Sequence, residues 1–165
     1  MQRRYSNVKF VIDSMLGTLA RKLRIFGFDS LYYNHIEDND LLSICREEGR
    51  VLLTSDKELF KRAMKENLRA IFTEGRDEDT LVKLLKLLDI RLELDMNRSR
   101  CPLCNSTLII NEREDIKEVV PKNVYNNNKL FYLCVNCNKV YWEGSHIRKM
   151  QELIKRVNVK VANSR

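Results

Sequence analysis

Along residues 9–88 the apolar positions switch repeatedly between short unbroken runs and a helical spacing. Lys9-Phe10-Val11-Ile12 is a β-rich run that ends at Asp13. Leu16 to Phe26 then sets Leu16, Leu19, Ala20, Leu23 and Phe26 on one side of a helix, with Arg21, Lys22 and Arg24 elsewhere. Gly27 suits the C-cap. Ser30 to Tyr33 reads as a second strand. Asp38 is placed to cap a helix through Leu41, Leu42, Ile44 and Cys45 to Gly49. Val51 to Thr54 is a third strand, 57–66 a helix, Arg69 to Phe72 a fourth strand, and Asp77 to Leu88 a helix with Leu81, Leu84, Leu85 and Leu88 on its apolar face. Strand and helix alternating in this way predict an α/β fold with a parallel sheet flanked by helices.

The rhythm breaks at Asn97-Arg98-Ser99-Arg100, a polar linker, so residues 1–96 and 97–165 are expected to form separate units. The second unit shows β-like runs at Thr107 to Ile110, Leu130 to Leu133 and Val140 to Trp142. A polar loop with Pro121 and Asn126 to Asn128 lies between the first two. Ser145 is placed to cap a terminal helix from about His146 to Val157, with a frayed tail from Asn158. No repeat of 20–50 residues is present.

Charge sharpens this division. Residues 1–96 carry 17 Lys or Arg against 17 Asp or Glu, whereas residues 97–165 carry 13 against 6, so the whole net charge of +7 falls in the second unit. A basic module beside a neutral one points to a polyanionic partner, most simply nucleic acid. No apolar run approaches the ~20 residues needed to span a bilayer, which excludes a membrane role by this route. Met1-Gln2-Arg3-Arg4-Tyr5 lacks the apolar stretch of a signal peptide. The expectation is a cytoplasmic protein, and in that compartment paired cysteines indicate metal rather than disulfides.

Two such pairs are present, Cys101-Pro-Leu-Cys104 and Cys134-Val-Asn-Cys137. Each can present two thiolates from one tight knuckle, and two knuckles make a tetrahedral four-sulfur site suited to zinc. With two strand-like runs around the pairs, the arrangement resembles a zinc ribbon. Four ligands close the shell, so this zinc is expected to be structural. Cys45, on the apolar face of a helix, reads as core.

The carboxylates carry the other chemistry. Asp13 ends strand one, Asp56 follows strand three, and Asp38 begins the helix after strand two. In a parallel sheet these positions face one edge, where open α/β folds place their sites. Converging carboxylates repel unless a divalent cation joins them, and Mg2+ or Mn2+ prefers such oxygen ligands. That is the chemistry of metal-assisted phosphodiester hydrolysis. Taken singly, Asp38 and Asp56 are also ordinary helix caps, and Asp40 or Glu58 can substitute for them, with Glu74 and Asp77 near the same edge. Basic residues positioned to hold a substrate are Arg21, Arg24 and Lys57 in the first unit. Lys139, Trp142, His146 and Arg148 in the second mix charge with aromatic surface, as single-strand binders do. Trp142 can equally cover the core of the ribbon.

Asp13-Ser-Met-Leu-Gly-Thr-Leu-Ala-Arg-Lys-Leu-Arg24, Gly27-Phe-Asp29, Asp38-x-x-Leu41-Leu42 and Arg50-Val-Leu-Leu-Thr-Ser-Asp56 resemble the Mut-seven C-terminal RNase family. So do Arg100-Cys-Pro-Leu-Cys-Asn105, the pair at Cys134 and Cys137, and Lys139-Val-Tyr-Trp-x-Gly-Ser-His146. The resemblance runs from about Lys9 to Met150. It implies a PIN-like nuclease domain followed by a zinc ribbon with a terminal helix, and a metal-dependent, endonucleolytic ribonuclease. By position it assigns Asp13, Asp38 and Asp56 to the acidic site, with Asp40 an alternative at the second position. RNA is the implied substrate, with ribosome or tRNA as possible associations. Two departures are Thr54-Ser55-Asp56, where the family usually has Thr-Arg-Asp, and Lys22, where it often has Trp. A non-catalytic RNA- or ribosome-binding protein is the alternative expectation.

Overall fold

The computed structural model describes residues 8–111 and 113–164; the Met1 to Tyr5 stretch read above for a leader lies outside them. Four short strands, β1 (Lys9–Ile12), β2 (Asp29–Tyr32), β3 (Val51–Thr54) and β4 (Ala70–Phe72), form an all-parallel sheet in the order β2-β1-β3-β4. The register pairs Ile12 with both Tyr32 and Leu53, and Thr54 with Phe72. The strand ends therefore finish together along one edge.

Alternation along the strands sorts the core into two layers. Phe10, Ile12, Val51, Leu53 and Ile71 pack on one face against α1 (Gly17–Ile25) and α4 (Asp77–Leu88). Val11, Leu52 and Ala70 pack on the other against α2 (Asp38–Glu48) and α3 (Lys57–Lys65), and Cys45 is buried there as expected. A single turn of 3-10 helix at Ser14–Leu16 leads from β1 into α1. Gly17 sits where a Cβ would lie 2.8 Å from the Tyr32 hydroxyl, which itself donates to Ser14 O at 2.9 Å.

The C-terminal part holds an antiparallel sheet of β5 (Leu108–Asn111), β6 (Phe131–Cys134) and β7 (Val140–Tyr141), with β6 central. The stretch expected as a polar loop is instead partly helical. The short helices α5 (Arg113–Ile116) and α6 (Lys122–Asn127) close a small core of Ile116, Val120 and Phe131, with Trp142 packed against it. The terminal helix α7 (Ser145–Ala162) also departs from expectation. It continues past Asn158 because Val157 and Val161 are buried in the main core, and the Asn158 amide bonds both the N–H and the C=O of Leu92. Gly144, not Ser145, occupies its N-cap position. Helix α7 packs on α4, so the main core draws on residues from both sides of the 97–100 linker. No described helix is long and apolar enough to cross a membrane.

Candidate functional site

The four cysteines come together fully. The sulfurs of Cys101, Cys104, Cys134 and Cys137 all lie within 4.8 Å of one another, and all five cysteines of the chain are free thiols. The two sulfur contacts that cross between knuckles are 3.5 Å (Cys101 to Cys137) and 3.3 Å (Cys104 to Cys134). Zn–S bonds of about 2.3 Å set at tetrahedral angles need sulfurs about 3.8 Å apart, so the donor set fits zinc after a small expansion. Each knuckle is built alike. An asparagine in left-handed conformation follows its second cysteine: Asn105 (φ 67°) and Asn138 (φ 55°). The amide of each donates to the carbonyl of the first cysteine, at 2.9 and 2.8 Å. Asparagine tolerates that conformation far better than branched residues do. Burial raises the thiol of Cys104, but hydrogen bonds from Ser106 and Asn136 outweigh it and bring the group down to about 6. Tyr141 places its hydroxyl 3.1 Å from the Cys101 sulfur.

The first knuckle is fastened to the parallel sheet. Asn105 is buried; its Oδ1 accepts from the Ser30 amide at 2.9 Å and its Nδ2 donates to Asp29 at 2.8 Å. Asp29 in turn pairs with the buried Arg50 at 2.9 Å. Burial pushes the Asp29 carboxyl up, but hydrogen bonds from Arg50 and Asn105, with the guanidinium charge, hold it below the ordinary range. Arg24 completes the joint. It was expected to face substrate, but it is 4 % exposed and donates to Ser30 O at 2.9 Å, Pro102 O at 2.8 Å and Leu103 O at 3.1 Å. Its guanidinium is turned into the protein and ties α1 to the knuckle. Burial lowers its pKa, opposed by the nearby Cys101 and Cys104.

The acidic edge is arranged differently. Asp13 is 8 % exposed; its Oδ2 accepts from the Thr54 hydroxyl at 2.8 Å and its Oδ1 from Ser14 at 3.3 Å. The same Thr54 oxygen accepts from the Asp56 amide at 2.9 Å, so Thr54 links the two acids. Asp56 is exposed and caps α3 through Oδ1, which accepts from the amides of Glu58 and Leu59. Asp38 makes no cap bond, Glu37 being in the N-cap position, and its carboxylate accepts from Arg62 at 3.2 Å. Asp40 is exposed in the first turn of α2. Among the described residues the cysteine cluster is the only set of three or more potential ligands within 4.8 Å, so Asp13, Asp38 and Asp56 do not converge to that distance. A hard divalent cation commonly takes one or two carboxylates and fills its shell with water. Asp13 and Asp56 fit that pattern, whereas Asp38 is engaged by Arg62. Thr73, buried just beyond β4 and bonded through its amide to the Thr54 carbonyl at 2.8 Å, has a hydroxyl without a hydrogen-bond partner among the described residues.

Of the basic and aromatic residues singled out, Arg21, Lys139, Trp142 and His146 line one cavity. Lys57 is exposed at the start of α3, beside Asp56, and Arg148 is exposed on α7 outside that cavity. Thr54 and Asn105 went unrecognised in the sequence. Their signals were a hydroxyl residue ending a buried strand two positions before an acid, and an asparagine directly after a cysteine pair.

A parallel α/β sheet with an acidic edge, fastened to a four-cysteine ribbon, defines the class to which this chain belongs. It is a member of the Mut7-C RNAse domain family, whose model matches residues 8–154. It is 34 % identical over 107 residues to the human "Exonuclease mut-7 homolog", an alignment covering 59 % of this chain and 12 % of that protein. The chain thus spans about an eighth of the length of this curated relative. No solved structure matches the chain.

Proposed function

We propose that the chain is a metal-dependent ribonuclease that cleaves RNA endonucleolytically at the acidic edge, with the zinc ribbon assisting RNA binding. The observation that carries this reading is Asp13, a buried carboxylate with no cationic partner among the described residues. Buried charges are normally paired or bound to metal. Asp13 and Asp56 would hold Mg2+ or Mn2+, with Asp38 or Asp40 joining as a further ligand. A cation held there would polarise the phosphodiester and activate water for attack. The chain's own residues provide orientation. The Thr54 hydroxyl holds Asp13 in one rotamer, and the Asp56 amide holds Thr54. Lys57, next to Asp56, is placed to bind the phosphate under attack. The Asp38–Arg62 pair is half exposed, and such pairs are weak enough to exchange partners. The zinc, with its shell closed by four sulfurs, takes no part in the reaction. Free thiols in a tight cluster suit a reducing compartment such as the cytoplasm.

The test is cleavage of labelled single-stranded RNA by zinc-loaded protein with and without Mn2+, beside Asp13→Asn. Outer-shell residues of metal sites cost about 10- to 100-fold when changed, so loss of a direct ligand is expected to exceed about a hundredfold. Equal cleavage by both proteins contradicts the reading. RNA binding without cleavage by either would assign the chain to non-catalytic RNA binding.

A further inference from the structure

Helix α1, the 97–100 linker, the first knuckle, β7 and the start of α7 enclose a cavity of about 540 Å3. Cavities that take small ligands run about 300–1,000 Å3. One wall is aromatic, from Tyr141 and Trp142. The Tyr141 ring is held by its hydroxyl on the Cys101 sulfur. The Trp142 indole packs on the small core and lies so close to Gly144 that a Cβ there would stand 2.9 Å from Nε1. The rest of the lining is largely apolar, including Ile25 and Ile147, with two serines, with cations at Arg21, Arg100 and Lys139 and with His146. No acidic side chain lines it among the described residues. Arg100 is spent on the Asn105 carbonyl, but the side chains of Arg21 and Lys139 are exposed and make no ion pair or side-chain hydrogen bond among the described residues. A flat aromatic wall, an apolar floor and free cations without a single carboxylate select a ligand that is planar and anionic together.

We propose that this cavity takes one unpaired nucleotide of single-stranded RNA, with the base against Trp142 and the flanking phosphates on Arg21 and Lys139. The proposal rests on the ribonuclease reading for the choice of RNA. It adds that strand capture occurs between the two parts of the chain rather than on the ribbon alone. Stacking on an aromatic ring serves any base, so the cavity confers preference for unpaired over paired RNA and little preference for sequence.

Trp142 is the chain's single tryptophan, so its emission reports on this cavity directly. Zinc-loaded protein without added Mg2+ or Mn2+ would be titrated with short oligoadenylate, an abasic ribose-phosphate oligomer of equal charge, and duplex RNA. Saturable quenching by the oligoadenylate alone is expected. Lys139→Ala and Arg21→Ala should each weaken binding and reduce the slope of log affinity against log salt by about 0.7, the value for one phosphate contact on a single strand. Because Trp142 also covers the small core, it is tested by pairing Trp142→Ala with Trp142→Phe, read by anisotropy of labelled oligoadenylate. Alanine should cost about 10- to 100-fold and phenylalanine should recover most of it. Equal quenching by the abasic oligomer or by duplex, or bound oligoadenylate with Trp142 emission unchanged, overturns the proposal. Base-dependent quenching without Mn2+-dependent cleavage would overturn the nuclease reading alone, and cleavage without such quenching this proposal alone.

Discussion

Four sulfurs in the ribbon sit within 4.8 Å of one another, whereas the three carboxylates at the sheet edge are each held by a different partner: a threonine hydroxyl, two helix amides and an arginine. The contrast follows from the chemistry of the ligands. A lowered thiol such as Cys104 can sit as a thiolate beside neighbours that keep their protons and donate S–H to it, as Cys134 does at 3.3 Å, and each knuckle is fixed locally by one backbone hydrogen bond to its left-handed asparagine. Carboxylates at neutral pH repel, so they draw together only when a cation joins them. The four-sulfur cluster is therefore assembled by the fold, while a hard-metal site on the carboxylates, as proposed, would only be prepared by it. The two are not independent, because Arg24 and Asn105 fasten the first knuckle to β2 and α1.

Removing zinc is the strongest way to break that comparison. Structural zinc contributes about 10–16 kcal/mol of apparent binding energy in small zinc domains. Chelation, or Cys101→Ser, should therefore unfold the ribbon. It should also expose the Ser30 amide, which bonds to Asn105, to hydrogen exchange. Exchange at Ser30 unchanged by chelation would show the joint to be unimportant. The next effect comes from the joint itself. Asp29→Ala leaves Arg50, 6 % exposed, with only Glu48 as an acidic partner, and breaking a buried pair typically costs about 3–5 kcal/mol. Because the native Asp29 carboxyl is held below its usual value, its contribution is complete above an unfolded pKa of about 3.9. That contribution is lost as pH falls through the native value. Urea unfolding down this pH range should show the decline in wild type and a shallower one in Asp29→Asn. The smallest effect sharpens the acidic side. Arg62→Ala should change stability by no more than about 1 kcal/mol, since the pair is half exposed, while freeing Asp38 to bind Mn2+ more tightly. Unchanged Mn2+ affinity in Arg62→Ala, with a loss in Asp40→Asn, would give the second acidic position to Asp40.

The alternation of apolar runs and helical spacing made the parallel sheet legible, because strands buried on both faces leave continuous runs such as Val51 to Thr54. The cysteine spacing made the four-sulfur cluster legible, since each pair acts through a local turn. What was not legible depended on long-range packing. Helix α7 outruns its expected end because Val161 finds the main core, and α5 and α6 form over Phe131 despite a polar sequence. Arg24 looked like a surface cation until the knuckle carbonyls closed over it. The same long-range closure brings Arg21 from one part and Lys139, Trp142 and His146 from the other to one cavity. No spacing along the chain encodes that meeting.

The central claim is that two metals serve two separate centres, one closed by sulfur and one formed on Asp13. Zinc content by elemental analysis and Mn2+ binding by electron paramagnetic resonance, measured on the same samples of wild type and Asp13→Asn, test it most directly. The account predicts one zinc per chain in both proteins and Mn2+ binding in wild type that is lost in Asp13→Asn. Equal Mn2+ binding by the two proteins, or loss of zinc on changing Asp13, would contradict it.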